Sequence, residues 1–270
     1  MINMKYLFWN THKNEGINPI LCDLIIENNI SVVILAEYVA DATDLCALLK
    51  IRGLLMRPGM TIGCERITVL TANGVDIEPA TQTDKASFQI INKNIILSSV
   101  HFNSKIYGGH KERREIVMAE IVSDLLKLEN DLNTNNSIIV GDFNINPYED
   151  SCVNARYFHG IPIYEEAMKG YRTVEGKMFY MFYNPMWNFL GDFSEPYGTY
   201  YCNTSETVNP YWNIFDQVII RPALRARFVD NNLKIITKTS NVSLLDNKKH
   251  PDTKISDHLP ITFEIKEDNI

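Results

Sequence analysis

The chain has 270 residues, with 26 Lys+Arg against 33 Asp+Glu and a formal net charge of −7. Hydrophobic residues at 45% and charged residues at 22% are ordinary globular usage, which argues against a disordered chain or a coiled coil. No apolar run is long enough for a membrane-spanning helix. The acidic balance argues against a protein that grips nucleic acid non-specifically, because that grip depends on Lys and Arg neutralising phosphates. It does not exclude an enzyme that touches a few of them.

The N-terminal MINMKYLFWNTHKN lacks a signal-type apolar stretch and a small-residue cleavage site, so a cytoplasmic location is expected. Five cysteines, at 22, 46, 64, 152 and 202, are odd in number and form no CxxC. Free, largely buried thiols are expected, not a disulfide framework or a cysteine zinc site.

In chain order, MKYLFW (4–9) is apolar and aromatic, as a buried strand is. Asn18-Pro19 reads as an N-cap followed by proline in the first helical turn. Ile20, Leu21, Leu24 and Ile25 then give a helical face ending at Asn28-Asn29. SVVIL (31–35) is a second buried strand, and the three together suggest a βαβ unit with parallel strands. A helix is expected over 41–50, and a β-rich stretch over 54–100 with ITVLTA and NIILSSV its clearest strands. Val117, Ile121, Leu125, Leu128 and Leu132 recur at three- and four-residue spacing and predict a helix over 112–132. SIIVG (137–141) is a strand. Residues 150–212 are rich in Tyr, Phe, Trp, Asn and Pro, with the look of long loops and short strands. FDQVII, LKIIT and LPITFEI close the chain as strands. Without an internal repeat or a Gly/Ser linker, one α/β domain over 1–270 is expected.

Polar residues at the ends of these apolar strands carry the chemistry. They are Asn10, Glu37, His101, Asp142 with Asn144, Asp216, and Asp257-His258. Strand ends place such groups on one rim of a sheet, on a rigid base. Carboxylate and amide oxygens are hard ligands that suit Mg²⁺ or Mn²⁺ better than Zn²⁺. Two histidines add donors or an acid/base pair near neutral pH. Phosphate-ester hydrolysis needs both, one to neutralise charge on the phosphoryl oxygens and one to aim or deprotonate a water. On extended backbone, Asp142 and Asn144 would point the same way and address one water and one phosphoryl oxygen. Neither a G-x-S-x-G turn nor a GxxxxGK[ST] loop is present. His110, His159 and His250 read as structural or exposed.

The segments FWNTH, VVILAEY, SSVHFNS, IIVGDFNINP, WNIFDQVII and ISDHLPI, in this order over residues 8–261, resemble the endonuclease/exonuclease/phosphatase superfamily. The resemblance implies the deoxyribonuclease-I-like fold, an α/β two-layer sandwich of mixed β-sheets flanked by helices. It implies Glu37 as the main Mg²⁺ (or Mn²⁺) ligand, with Asn10 beside it and Asp257 as a metal-side carboxylate. Asp142 would orient or deprotonate the attacking water, and Asn144 would hold that water or a phosphoryl oxygen. His258, held by Asp216, would donate to the scissile phosphate, and His101 would be the second phosphate-facing histidine. Glu65, in GCERITVL, resembles the carboxylate that pairs with that histidine in the deoxyribonuclease branch. His101 and His12 both depart from the abasic-site endonuclease pattern, which tends to have Tyr and Asp there. Trp212-x-x-x-Asp216-Gln217 only loosely matches the inositol-phosphatase pattern.

The expected activity is a Mg²⁺-dependent phosphodiesterase acting on nucleic acid. Lys105, Lys111, Arg113 and Arg114, together with Arg221, Arg225 and Arg227, are candidate backbone grips. Tyr180, Tyr183, Trp187, Tyr197, Tyr200, Tyr201, Tyr211 and Trp212 are candidates either for stacking bases or for the core. The competing reading is a phosphatase or phosphodiesterase on a small molecule or lipid headgroup, slightly favoured by the charge of −7.

Overall fold

The computed structural model describes residues 3–104, 111–192, 195–205 and 207–267. Lys105 and His110 lie outside the described residues. The first half of the chain forms β1 (Asn3–Asn10), α1 (Asn18–Glu27), β2 (Val32–Ala36), α2 (Ala42–Ile51), β3 (Met56–Pro58), β4 (Ile67–Ala72), β5 (Ile77–Gln82), β6 (Ala86–Ile91), β7 (Ile95–His101) and α3 (Lys111–Asp131). The second half opens with β8 (Ser137–Asp142), α4 (Asp150–Val153), β9 (Gly160–Ile161), α5 (Tyr164–Ala167) and the hairpin β10 (Tyr171–Val174) and β11 (Lys177–Tyr180). It closes with β12 (Phe182–Tyr183), β13 (Tyr200–Tyr201), β14 (Trp212–Asn213), β15 (Asp216–Ile220), β16 (Lys234–Ile235) and β17 (Ile261–Lys266).

Two mixed sheets result. One has the order β16-β17-β1-β2-β4-β3, the other β5-β6-β7-β8-β15-β12-β9. Each holds one central parallel pair, β1 with β2 and β7 with β8, and each pair is joined through a helix as the sequence suggests. The strands are apolar on both faces because both are covered. Within β8, Ile138 and Val140 join the core that includes β1 and β2, while Ile139 faces the other way into a second core with Met118, Ile121 and Leu125 of α3. The sheets thus pack face to face and helices cover their outer surfaces.

The local signals mostly hold, with instructive exceptions. Asn18 is not the N-cap of α1. That position is Ile17, whose backbone is already helical, and no side chain caps it. The Asn18 amide donates to Asp41 O (3.0 Å) and accepts from Tyr38 Oη (2.7 Å), so it ties α1 to the chain beyond β2 instead. In α2 the cap is Asp41, which accepts from Thr43 N at 2.7 Å. Leu132 falls just beyond α3 and is exposed, so the apolar stripe of that helix ends at Leu128. LKIIT yields only the two-residue β16.

Arg221 does not reach solvent. Its guanidinium meets the buried Glu129 carboxylate twice, at 2.7 and 3.1 Å, and donates to Met181 O. This pins the C-terminal part of α3 to the end of β15. Arg225 pairs with Asp230 and lies over Tyr164 and Tyr183. Lys111 pairs with Asp150 and Glu115, and Arg114 is buried. Most of the expected backbone grips are therefore structural.

β8 leaves no room for a side chain at Gly141. A Cβ there would lie 1.9 Å from Val100 O of the neighbouring β7. Gly141→Ala is expected to cost at least about 2 kcal/mol, because strand backbone must move to admit the methyl. Urea unfolding followed by circular dichroism measures this, and an unchanged midpoint would contradict the packing.

Candidate active site

Strand register assembles the site. His101 is the β7 partner of Asp142 on β8, and Asp216 is the partner of Asp142 on β15. Side chains at paired positions share a face, so the three stand side by side at the edge of one sheet. Asn10 ends β1 in the opposite sheet and reaches across to them. Glu37 follows β2, and His258 precedes β17. Every candidate except Glu65 lines one cleft of about 750 Å³ or, for Asp216, lies buried beneath its wall.

Asp142 is buried and fully engaged. Its Oδ1 accepts from Asn144 N (2.9 Å), and its Oδ2 accepts from Asn144 Nδ2 (2.9 Å) and Asn10 Nδ2 (3.1 Å). Burial raises its pKa to about 7, against the opposing pull of His258 and with the support of Asp216. Asn144 does not reach Asp142 through strand alternation. It sits beyond β8 with φ +50°, and a tight turn folds its amide back. The second Nδ2 hydrogen goes to Phe102 O at 2.9 Å, leaving Oδ1 to face a ligand.

His258 is held on several sides. Its Nδ1 lies 2.8 Å from Asp216 Oδ2, its backbone N–H donates to Ser256 Oγ, and its carbonyl accepts from Trp9 Nε1 at 2.8 Å. Ser256 Oγ in turn donates to Asn10 O. Burial works against the charged ring, but the carboxylates of Asp216 and Asp142 outweigh it and raise the pKa to about 10. The ring is an imidazolium over most of the pH range, with Nε2–H free for the cleft.

His101 has the opposite character. Burial, then the charges of Arg66, His258 and Lys85, push its pKa down to about 3. Its Nε2 lies 3.5 Å from Glu37 Oε1 and 3.7 Å from Asp142 Oδ2, while its buried Nδ1 has no hydrogen-bond partner. Glu65 does not supply one. It is exposed, in the turn before β4, and the neighbouring Arg66 lines the cleft in its place.

Glu37 is part-exposed and takes φ +51°, a sparsely populated backbone region that turns its side chain into the cleft. Asp257 stands beside it in the lining, with Oδ1 3.0 Å from His12 Nδ1 yet in no hydrogen bond. Sequence reasoning left His12 undecided and missed Lys13 and Arg66, which also line the cleft. Arg66 directly precedes Ile67, the β4 residue that pairs with Ala36, so it lies at the same end of the β2–β4 pair as Glu37. Of the eight aromatic residues expected to stack or pack, Tyr200 alone lines the cleft, where it also contacts the His258 ring. Tyr201, Tyr211 and Trp212 pack on one another and, through Tyr201 and Trp212, on His250.

No family model matches the sequence, and no curated protein matches it. Solved structures do. A family protein of the endonuclease/exonuclease/phosphatase group from Bacteroides thetaiotaomicron aligns at 12% identity with TM-score 0.58, covering 98% of this chain and 95% of that one. An AP endonuclease from Archaeoglobus fulgidus aligns at 12% identity with TM-score 0.54, covering 98% and 100%. The 3′-5′ exonuclease NExo from Neisseria meningitidis aligns at 15% identity with TM-score 0.54, covering 98% and 100%. The chain therefore has the deoxyribonuclease-I-like fold, as its motifs suggested.

The two histidines are expected to titrate far apart. Ring-resolved NMR should find His258 protonated at neutral pH, losing its proton near pH 10, and His101 neutral down to about pH 3. Asp216→Asn removes the largest charge that raises His258, so its titration should move to lower pH. An unmoved titration would mean that this carboxylate does not hold the imidazolium.

Proposed function

We propose that this cleft hydrolyses phosphodiesters with the help of a divalent ion, Mg²⁺ or Mn²⁺, and that its substrate is nucleic acid. The observation that carries the reading is the setting of Asp142. A buried, hydrogen-bonded carboxylate has two histidine Nε2 atoms flanking one of its oxygens, at 3.7 and 3.9 Å. The space between them is where a phosphoryl group fits. Asp142 takes the proton of the attacking water, which Asn144 Oδ1 orients. With both Nδ2 hydrogens in use, Asn144 serves the water and not a phosphoryl oxygen. His258 donates from Nε2 to a phosphoryl oxygen, and Asp216 keeps it charged. His101 donates as a neutral ring.

The donor set fits a hard cation. Glu37 and Asp257 offer carboxylate oxygens to the cleft, one of them without a hydrogen bond, and Asn10 Oδ1 has a lone pair beyond the one given to His12 N. An ion bound there would neutralise charge on the phosphoryl oxygens. Asp142, Asp216 and His258 also bring possible ligand atoms within 4.8 Å of one another. A charged His258 repels a cation, however, so we read that group as the proton-handling half of the site.

Nucleic acid is supported by the neighbours that are an AP endonuclease and an exonuclease. A small phosphate ester is the second reading. It is favoured by the internal pairing of Arg221, Arg225 and Lys111, which leaves few cations for a long backbone.

Hydrolysis of plasmid DNA, single-stranded DNA, RNA, a generic phosphodiester and inositol phosphates, with and without Mg²⁺ or Mn²⁺, tests the reading. Activity should require the ion, and Asp142→Asn should lower turnover by at least about 10²-fold. Wild-type turnover in that variant would refute the role of Asp142. The wild-type rate should also rise with pH through about 7, as Asp142 loses its proton. Binding that weakens steeply with salt marks the polymer substrate, and a flat response marks the small one.

A further inference from the structure

The cleft is polarised along its length. On the β7 side the turn before β4 contributes Arg66 and the end of β7 contributes His101, and Lys85, just before β6, is bound to Asn103 of the lining at 3.2 Å. On the β15 side Val208 and Pro210, ahead of β14, and Phe215, just before β15, join the lining, with Val208 85% exposed. The catalytic groups proposed above lie between a cationic end and an apolar one.

Arg66 is unlike the other arginines discussed above. Arg221 is buried on Glu129, and Arg225 is seated on Asp230 and two tyrosine rings. Among the described residues Arg66 pairs only with Asp84, at 3.6 Å, and Asp84 is 77% exposed and already held by Lys85 at 2.7 Å. Its guanidinium therefore keeps most of its donors for a ligand in the cleft. A planar guanidinium suits a phosphate through paired N–H donors. It lies at the same end of the β2–β4 pair as Glu37, near the proposed ion yet not among its ligands.

We propose that Arg66 binds a second phosphate next to the scissile one, so that the enzyme selects nucleotide substrates carrying a flanking phosphate over isolated phosphodiesters. This rests on the hydrolase reading for the catalysis, though not for the binding. Lys85 raises the potential at the same end, and the nucleoside on the far side of the scissile bond meets the apolar wall. A strand of nucleic acid or its short fragments meets this requirement, whereas a lone diester headgroup does not.

Two measurements separate the claims. Calorimetry with Mg²⁺ present compares thymidine 3′,5′-bisphosphate with the two thymidine monophosphates. Wild type should bind the bisphosphate at least about tenfold tighter, Arg66→Gln should bring the ratio near one, and Arg66→Lys should restore part of it. Thermal unfolding of each variant should match wild type, because Arg66 is partly exposed at the surface. Equal affinities in wild type, or a preference undiminished in Arg66→Gln, would overturn the proposal. Separately, release of p-nitrophenol from thymidine 3′-phosphate 5′-(p-nitrophenyl phosphate), a diester that carries the flanking phosphate, reports the chemistry. A bisphosphate preference without any such release would support the phosphate site and overturn the hydrolase reading.

Discussion

The site depends on a carboxylate taken out of water. Asp142 lies 1% exposed between the two sheets, and removing an ion from solvent costs several kcal/mol in real proteins. Three N–H donors meet it, and hydrogen bonds to charged groups contribute about 1.5–3 kcal/mol each. The donors and the His258 charge offset only part of that cost, so burial still raises its pKa to about 7. A carboxylate in that balance can exchange a proton near neutral pH. One of the donors, Asn10, lies in the opposite sheet, so the same contact that satisfies Asp142 also holds the sandwich shut at its functional edge.

β15 links this edge to the rest of the molecule. At its start Asp216 supports His258, and just past its end Arg221 is fixed to Glu129 of α3. Glu129 also accepts from Ser137 Oγ at 2.7 Å, at the start of β8. The two strands that carry Asp142 and Asp216 are therefore tied to one helix by a single buried carboxylate, at the ends remote from the cleft. Losing one partner of such a buried pair leaves a bare charge and is costly. That cost keeps the strands in register, and register is what sets His101, Asp142 and Asp216 abreast.

Much of this was legible in the sequence, for a physical reason. Apolar runs marked the strands, and the polar residues that ended them could only be rim residues. Asn10, Glu37, His101, Asp142, Asn144, Asp257 and His258 accordingly share one cleft, with Asp216 behind it. What failed needed knowledge of the third dimension. Glu65 and Arg66 are adjacent in the turn before β4, and only the path of that turn in space decides which of them lines the cleft. Asn18 carries a strong helix-cap signal, yet the contacts with Tyr38 and Asp41 outbid it. Arg221 looked like a surface charge because its partner, Glu129, is 92 residues away. The tight turn at Asn144 left no signal beyond the Asp-Phe-Asn spacing, and it produced the expected convergence by a different route.

An acidic protein can still present a local field that favours an anion. The net charge of −7 is distributed over the whole surface, and salt screens it within about 8–10 Å. Inside the cleft the buried imidazolium of His258 and the rim guanidinium of Arg66 act at short range and with less screening. The carboxylates nearby have assigned partners: Asp216 faces His258, and Asp142 is met by amide donors from two sides. Glu37 and Asp257 are less fully satisfied, and a divalent cation would complete them. His101 adds no charge because burial, and then the cations around it, keep its ring neutral. On the proposed reading, the guanidinium, the imidazolium and the two less satisfied carboxylates would define where a phosphoryl group rests, whatever the sign of the chain as a whole.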